Sequence, residues 1–456
     1  MAEEGATRYE EAEPEGLASA LSYPLFDAIF NRRSRRISVG IGSVPAGDLS
    51  YSSDKPPQPL SELEEALLIA VTGLTGTTMP DMPFKDPAGG DLFGTPMLFV
   101  RGRAAASPDN AQGTSFIMTN DDGTYLIKST TIDASKLEGA TRAEALIECA
   151  RQAKVKLLEK RLDFPREVPA FFGRNRYVSN LPGTTVFIPI VDLTRQYING
   201  LLFLLSQKDG SRPYFIDDWS FYRAAGCKKW MKSGFLNRNI KVPLGMVGTM
   251  RIPIEADLLL QNLFLALEAM GLGGWIHAAP LGPVLLGAKE FRDFGPGLGF
   301  RFDKPRKFLR KLLIPITPMP AWCDNPVGID GVLEGCCPPY YRDMNEAVDA
   351  VLASKYGPDG VYSDRESFSD VFKGGQEDVF LAQAPHVRAD VVQCTKDICN
   401  YIYRTYGRFP AHVDAFFVPG VCLQAHHLDL DYYDQLFRKA YTEQHRCHDA
   451  RWHADS

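Results

Sequence analysis

The chain has 456 residues, a formal net charge of -6 and 45% hydrophobic residues. That length holds two to three domain-sized units or one large elaborated domain with ample core. The mild acidity excludes a general electrostatic argument for nucleic acid or an anionic membrane. The acidic first residues predict no secretory leader, and the most apolar stretches, such as 197–205, are too short and interrupted to span a bilayer. Nine cysteines without a spacing framework fit reduced thiols and a cytoplasmic location.

In chain order, residues 1–20 are expected to be a disordered acidic tail grading into a helix. Residues 21–30 have helical apolar spacing and lead into Arg32, Arg33, Ser34, Arg35 and Arg36. Arginine forks and a serine hydroxyl suit a phosphate, although the run also reads as a solvated charged face. Residues 40–59 are loop-like, and Ser61 with Glu64 predicts a capping box opening a helix over 60–74. The run 114–128, broken at Asp122-Gly123, predicts a hairpin. Residues 141–160 predict one helix.

The organising stretch is 254–277. Its apolar residues recur at helical spacing, Glu255 and Asp257 sit in the first turn, and Gly271 is a natural stop. The following Gly273-Gly274-Trp275 is a bare backbone that a flat ligand or a second chain can approach, unless it is an ordinary core segment. Later, 325–339 predicts a strand and a tight loop, and 345–356, 386–404 and 426–437 predict helices. No internal repeat stands out.

Three separated pieces carry a resemblance: Arg32-x-Ser34-x-Arg36 after a first helix, Ser107-x-x-Asn110-x-Gln112 before a hairpin, and a late helix ending in Gly271-Leu272-Gly273. In this order the chain resembles the nitroreductase-like FMN-dependent oxidoreductases. The resemblance implies an α+β fold with a mixed or antiparallel sheet flanked by helices and a long central helix at a homodimer interface. It implies an FMN-binding domain over 21–340 with insertions at about 40–95 and 206–250; residues 1–20 read as a disordered acidic tail, and residues 341–456, which carry no motif of the family, as a C-terminal helical extension. FMN would be held by Arg32, Arg33, Ser34 and Arg36 at its phosphate. Ser107, Asn110 and Gln112 would contact the ring or ribityl chain, and the backbone of Gly273, Gly274 and Trp275 would lie beside the ring. Hydride would pass from NAD(P)H through the flavin to a small nitro, quinone or enone substrate, or oxygen-linked dehydrogenation would replace that route. The flavin carries such chemistry, so no catalytic residue is named. No nucleic acid, membrane or metal is expected.

The chain departs from the family pattern at Ala106 and at Gly113-Thr114, and the candidates for a further phosphate-binding cation are Arg306, Lys355 and Lys373. The other reading is a non-catalytic binding or assembly module on the same fold. Seven of the eight histidines lie beyond residue 385. Their spacing matches no metal signature, so they are read as surface or capping groups rather than as zinc or iron ligands. Cys336 and Cys337 read as buried packing residues.

Overall fold

The computed structural model describes residues 13–44, 47–84, 95, 97–128, 134–163, 165–168, 171, 173–218, 222–247, 252–278, 281–303, 325–410, 412–414 and 421–454. A seven-stranded antiparallel sheet forms its centre. The strands are β1 (Thr114–Asn120), β2 (Gly123–Ile127), β3 (Lys154–Leu158), β4 (Thr185–Asp192), β5 (Gly273–Ala278), β6 (His412–Asp414) and β7 (Val421–His426). Their order is β5-β7-β4-β1-β2-β3, with β6 also paired to β4. All pairings in this sheet are antiparallel and helices pack on it, which is an α+β architecture.

The sheet is covered on both faces because its strands alternate apolar residues in both directions. Phe116, Met118, Phe187 and Leu423 meet the long helix α6 (Ile252–Met270) through Leu259, Leu263 and Leu267. On the same side lie α1 (Glu15–Ser22), α3 (Glu62–Ala70) and α4 (Arg142–Ala153). Ile117, Leu126, Val186 and Ile188 face the other way, against Leu285, Leu286 and Phe300. Each fully buried side chain of this size contributes about 1.5–3 kcal/mol before ordering costs. A second core joins α5 (Thr194–Leu205), α7 (Met344–Tyr356) and α8 (Ala389–Tyr406), where Tyr197, Val348 and Ile398 are buried.

The capping box at α3 is present: Ser61 N–H donates to Glu64 Oε2 at 2.6 Å and Glu64 N–H to Ser61 Oγ at 3.3 Å. The hairpin is present too, with Asn120 paired to Gly123. The helix predicted over 141–160 stops at Ala153, because residues 154–158 pair with β2 instead. The segment 206–250 carries a small sheet of Pro213–Asp217, Arg223–Ala224 and Asn237–Pro243, and its Phe215, Cys227 and Leu236 enter the second core. Cys336 and Cys337 are buried free thiols, as expected of packing residues.

At the end of the 1–20 segment the chain grades into a helix over residues 15–22, where Leu17 and Ala20 bury against the main core; residues 1–12 lie outside the described residues. The segment 341–456 is not a helical extension, since β7 lies between β5 and β4 and hydrogen-bonds to both. Its Leu423 and Ala425 complete the apolar face beneath α6. Among the described residues no helix is long and apolar enough to cross a membrane.

Candidate functional site

The arginine segment follows α2 (Leu25–Asn31) as an extended strand-like run. Arg35 N–H donates to the Gly274 carbonyl at 3.0 Å, one bridge of antiparallel pairing along the edge of β5. Alternation then sorts the side chains: Arg35 and Ile37 are buried, while Ser34 and Arg36 are exposed. Arg33 is exposed as well, and Arg32 is half-buried with its guanidinium 4.8 Å from the Phe264 ring centroid. Arg36 lies 5.3 Å from the Trp275 ring centroid. The one arginine outside the phosphate motif is the structural one. Arg35 Nη1 donates to Glu268 Oε2 at 2.7 Å and its Nε to the Ala440 carbonyl at 2.8 Å. Burial pushes the Glu268 carboxyl up, and the Arg35 charge opposes that rise.

The Ser107–Gln112 loop sits at the other end of α6. Ser107 Oγ hydrogen-bonds Glu255 Oε2, and Glu255 Oε1 also accepts from Arg103 Nη1 and Thr114 N–H, each at 2.9 Å. Asn110 Nδ2 donates to Thr78 Oγ1 at 2.8 Å and to the Arg101 carbonyl at 2.9 Å. Gln112 Nε2 donates to the Asn110 side-chain oxygen at 2.5 Å. Asp109, Asn110 and Gln112 have φ of 57°, 46° and 50°. Left-handed backbone at non-glycine residues costs energy and persists only where surrounding contacts over-determine it. Gln112 Oε1 is buried with no hydrogen-bond partner.

Gly273, Gly274 and Trp275 do not form an open wall. All three are buried. A Cβ on Gly274 would stand 2.2 Å from Leu267 Cδ1 and 2.5 Å from the Gln424 carbonyl oxygen. A Cβ on Gly273 would stand 2.8 Å from His426 Nε2. The glycines are there so that β5 can lie directly beneath α6, which corrects the expectation of a ligand-lined wall. Trp275 stacks on His277, with ring centroids 4.0 Å apart. Lys355 is corrected likewise as a phosphate candidate: it is buried and its Nζ donates to Asn199 Oδ1 at 2.8 Å and to the Thr95 carbonyl. Lys373 is exposed, and Arg306 lies outside the described residues.

The predicted site residues therefore form two groups within one chain. Arg36 and the glycines gather at the Glu268 end of α6, and Ser107, Asn110 and Gln112 at its Glu255 end. Thirteen residues of helix separate the two glutamates, about 20 Å. The FMN test thus divides. The exposed Arg33, Ser34 and Arg36 suit a phosphate, and the unpartnered Gln112 Oε1 suits an N–H donor, but one chain does not bring these groups together.

The sequence matches no known protein family, and no curated protein matches it. A solved structure of a provisionally named nitroreductase from Ralstonia eutropha JMP134 aligns with 59% of this chain and 75% of its own, at 12% identity and a TM-score of 0.23. At that score the likeness carries no argument about fold or activity.

A third grouping was not legible in the sequence. Glu64 of α3, His427 just after β7, and His448 and His453 at the two ends of α9 (His448–Trp452) place one ligand-type atom each within 4.8 Å of one another. Glu64, His427 and His448 are buried, as are His426 and His445, which corrects the surface part of the surface-or-capping reading; His445 does cap, its Nδ1 accepting from Thr442 N–H at 3.4 Å. They are buried because β7 is interior and because the Trp452 ring of α9 seats on Gly16 of α1, leaving no space for a Cβ there. Glu64 Oε1 lies 2.8 Å from His448 Nε2, and Glu64 Oε2 lies 3.4 Å from His427 Nε2 and 3.7 Å from His453 Nε2. Burial pushes the Glu64 carboxyl up, but the three imidazoles hold it well below its usual range. The only sequence signal was the histidine-rich C-terminus. Nothing there pointed to a glutamate 363 residues before His427.

Proposed function

We propose that two copies of this chain form a cytoplasmic FMN-dependent oxidoreductase of the nitroreductase-like type, passing hydride between NAD(P)H and a small nitro, quinone or enone compound. The observation that carries the reading is the alternation at 34–37, which turns Ser34 and Arg36 outward while Arg35 and Ile37 anchor the segment. A motif whose spacing of two matches an extended backbone presents its alternate residues on one side, as a phosphate cradle requires.

The second copy is needed because the ring-contacting group lies at the far end of α6. A twofold axis crossing α6 would set the Glu268 end of one helix beside the Glu255 end of its partner. The exposed apolar face next to α6 supports this pairing: Leu25, Phe26 and Phe30 of α2 are 62%, 68% and 72% exposed, and Ile254 and Leu258 of α6 are also exposed. Exposed large apolar side chains of that kind suit an association face.

In this reading Arg33, Ser34 and Arg36 hold the FMN phosphate, with Arg32 beside them. Ser107 and Asn110 fix the loop that presents Gln112 Oε1 to a ring N–H. Bound FMN supplies the hydride chemistry, and the residues supply binding, orientation and exclusion of water.

A second reading, a non-catalytic assembly module, is favoured by one observation: Ser107 and Asn110 already spend their hydrogen bonds inside the chain. Titration of the purified protein with FMN separates the two. The oxidoreductase reading expects one FMN per chain, reducible by NAD(P)H, and at least a tenfold weaker affinity in Arg33→Ala/Arg36→Ala, since each charge-assisted contact contributes about 1.5–3 kcal/mol. A wild-type protein that takes up no FMN rejects it.

A further inference from the structure

We infer that Glu64, His427, His448 and His453 form a binding site for one zinc-like divalent cation, separate from the proposed flavin site. The donor set is three imidazoles and one carboxylate, which suits zinc and other borderline divalent metals rather than magnesium or calcium. Three of the four side chains are buried, and the four donor atoms fit within 4.8 Å.

The hydrogen bonds around the cluster point the donors inward. His448 Nδ1 lies 2.8 Å from the Met270 carbonyl, and a carbonyl only accepts, so Nδ1 carries the proton. In a neutral ring that leaves the lone pair on Nε2, which faces Glu64 Oε1 at 2.8 Å. Two acceptors held face to face at that distance repel each other unless a cation or a proton sits between them. A ligand imidazole whose other nitrogen donates to a backbone carbonyl is the usual outer arrangement of a metal site. Met270 is the last residue of α6, so its carbonyl is one that the helix leaves without an internal partner. Glu64 is fixed in the same way, because its Oε2 accepts from Ser61 N–H at 2.6 Å.

His448 also lines a cleft of about 520 Å3, whose walls carry Asp431, Asp434 and Asp449 beside Lys55 and Arg446. The site joins parts of the chain far apart in sequence, α3, the end of β7 and α9, so an ion there would tie the C-terminal segment to the helical layer over the sheet.

The test uses the full chain, stripped with a chelator and then titrated with zinc alone against a chromophoric competitor, with cobalt substitution as a spectroscopic check. The expected result is one zinc per chain with a dissociation constant below about 1 μM, a rise in melting temperature on binding, and visible cobalt absorption of a four-coordinate nitrogen and oxygen site. His453→Gln, at a half-buried position near the chain end, is expected to weaken zinc at least tenfold while remaining folded, and His386→Gln to leave it unchanged. If folded wild-type protein binds no stoichiometric zinc, or if both His453→Gln and His427→Gln bind it like wild type, the cluster is a proton-sharing ion-pair network and the inference is overturned. Binding of zinc with no flavin uptake would leave this inference standing while removing the proposed function.

Discussion

Arg35 and Gly274 form a single antiparallel bridge, with the arginine N–H donating to the glycine carbonyl at 3.0 Å. That bridge fixes which way the whole arginine segment faces. It seats Arg35 beside Glu268 at the end of α6 and leaves Ser34 and Arg36 on the outside. It also occupies the β5 edge, so any ligand near this segment meets side chains rather than a bare strand.

The Arg35–Glu268 pair is almost wholly buried, at 4% and 2% exposure. Removing one partner leaves an uncompensated interior charge. Arg35→Met is therefore expected to cost about 3–5 kcal/mol of folding stability, and Arg35→Met/Glu268→Met to recover much of that loss. Urea unfolding of the two variants beside wild type measures both effects. Equal stability of wild type and Arg35→Met would contradict the tether.

Gly274→Ala is expected to lower the melting temperature sharply. The new methyl would press on Leu267 Cδ1 and on the Gln424 carbonyl, and a backbone oxygen inside a sheet cannot move aside. Overpacking of this kind costs about 1–3 kcal/mol or more. Gly42→Ala, at a position with open space, serves as the control. A thermal melt reads both.

Burial, with a smaller contribution from the Arg36 charge, lowers the His277 pKa from 6.5 to about 3. The unfolded chain therefore takes up a proton near pH 6.5 that the folded chain refuses until about pH 3. Stability falls as the pH drops through that window, by about 1.4 kcal/mol per unit for this one group. Urea midpoints at pH 7 and pH 5 should show a smaller acid loss in His277→Gln than in wild type.

Lys355 moves stability in the same direction over a higher pH window. Burial lowers its pKa from 10.5 to about 7. Between those values the unfolded chain holds one more proton than the folded chain, so stability rises with pH from about 7 toward 10.5. Lys355→Met should flatten that rise, and midpoints at pH 7 and pH 9 would show it.

Local signals were legible in the sequence, and long-range ones were not. The capping box at Ser61 and Glu64 and the Asp122-Gly123 hairpin depend on residues three or four apart, and both formed. Helix α6 was legible because its apolar stripe is long, but its neighbours were not. Residues 154–158 have the composition of a helix and became β3 because β2 offered an edge. β7 entered the middle of the sheet from the far end of the chain, carrying His426 and His427 inward with it. The glycines after α6 fit either space for a flat ligand or an ordinary core segment. Only the packing shows that Leu267, Gln424 and His426 fill it.

In the proposed dimer each flavin site draws on two chains, one giving Arg33, Ser34 and Arg36 and the other giving Asn110 and Gln112. Mixing separately purified Arg33→Ala/Arg36→Ala and Asn110→Ala/Gln112→Ala proteins, after reversible dissociation, tests it by FMN titration. Random pairing puts half the chains in mixed dimers, each with one intact site, so binding should return to about a quarter of the wild-type site count although neither variant binds alone. A mixture that binds no more FMN than its separate components would contradict the claim.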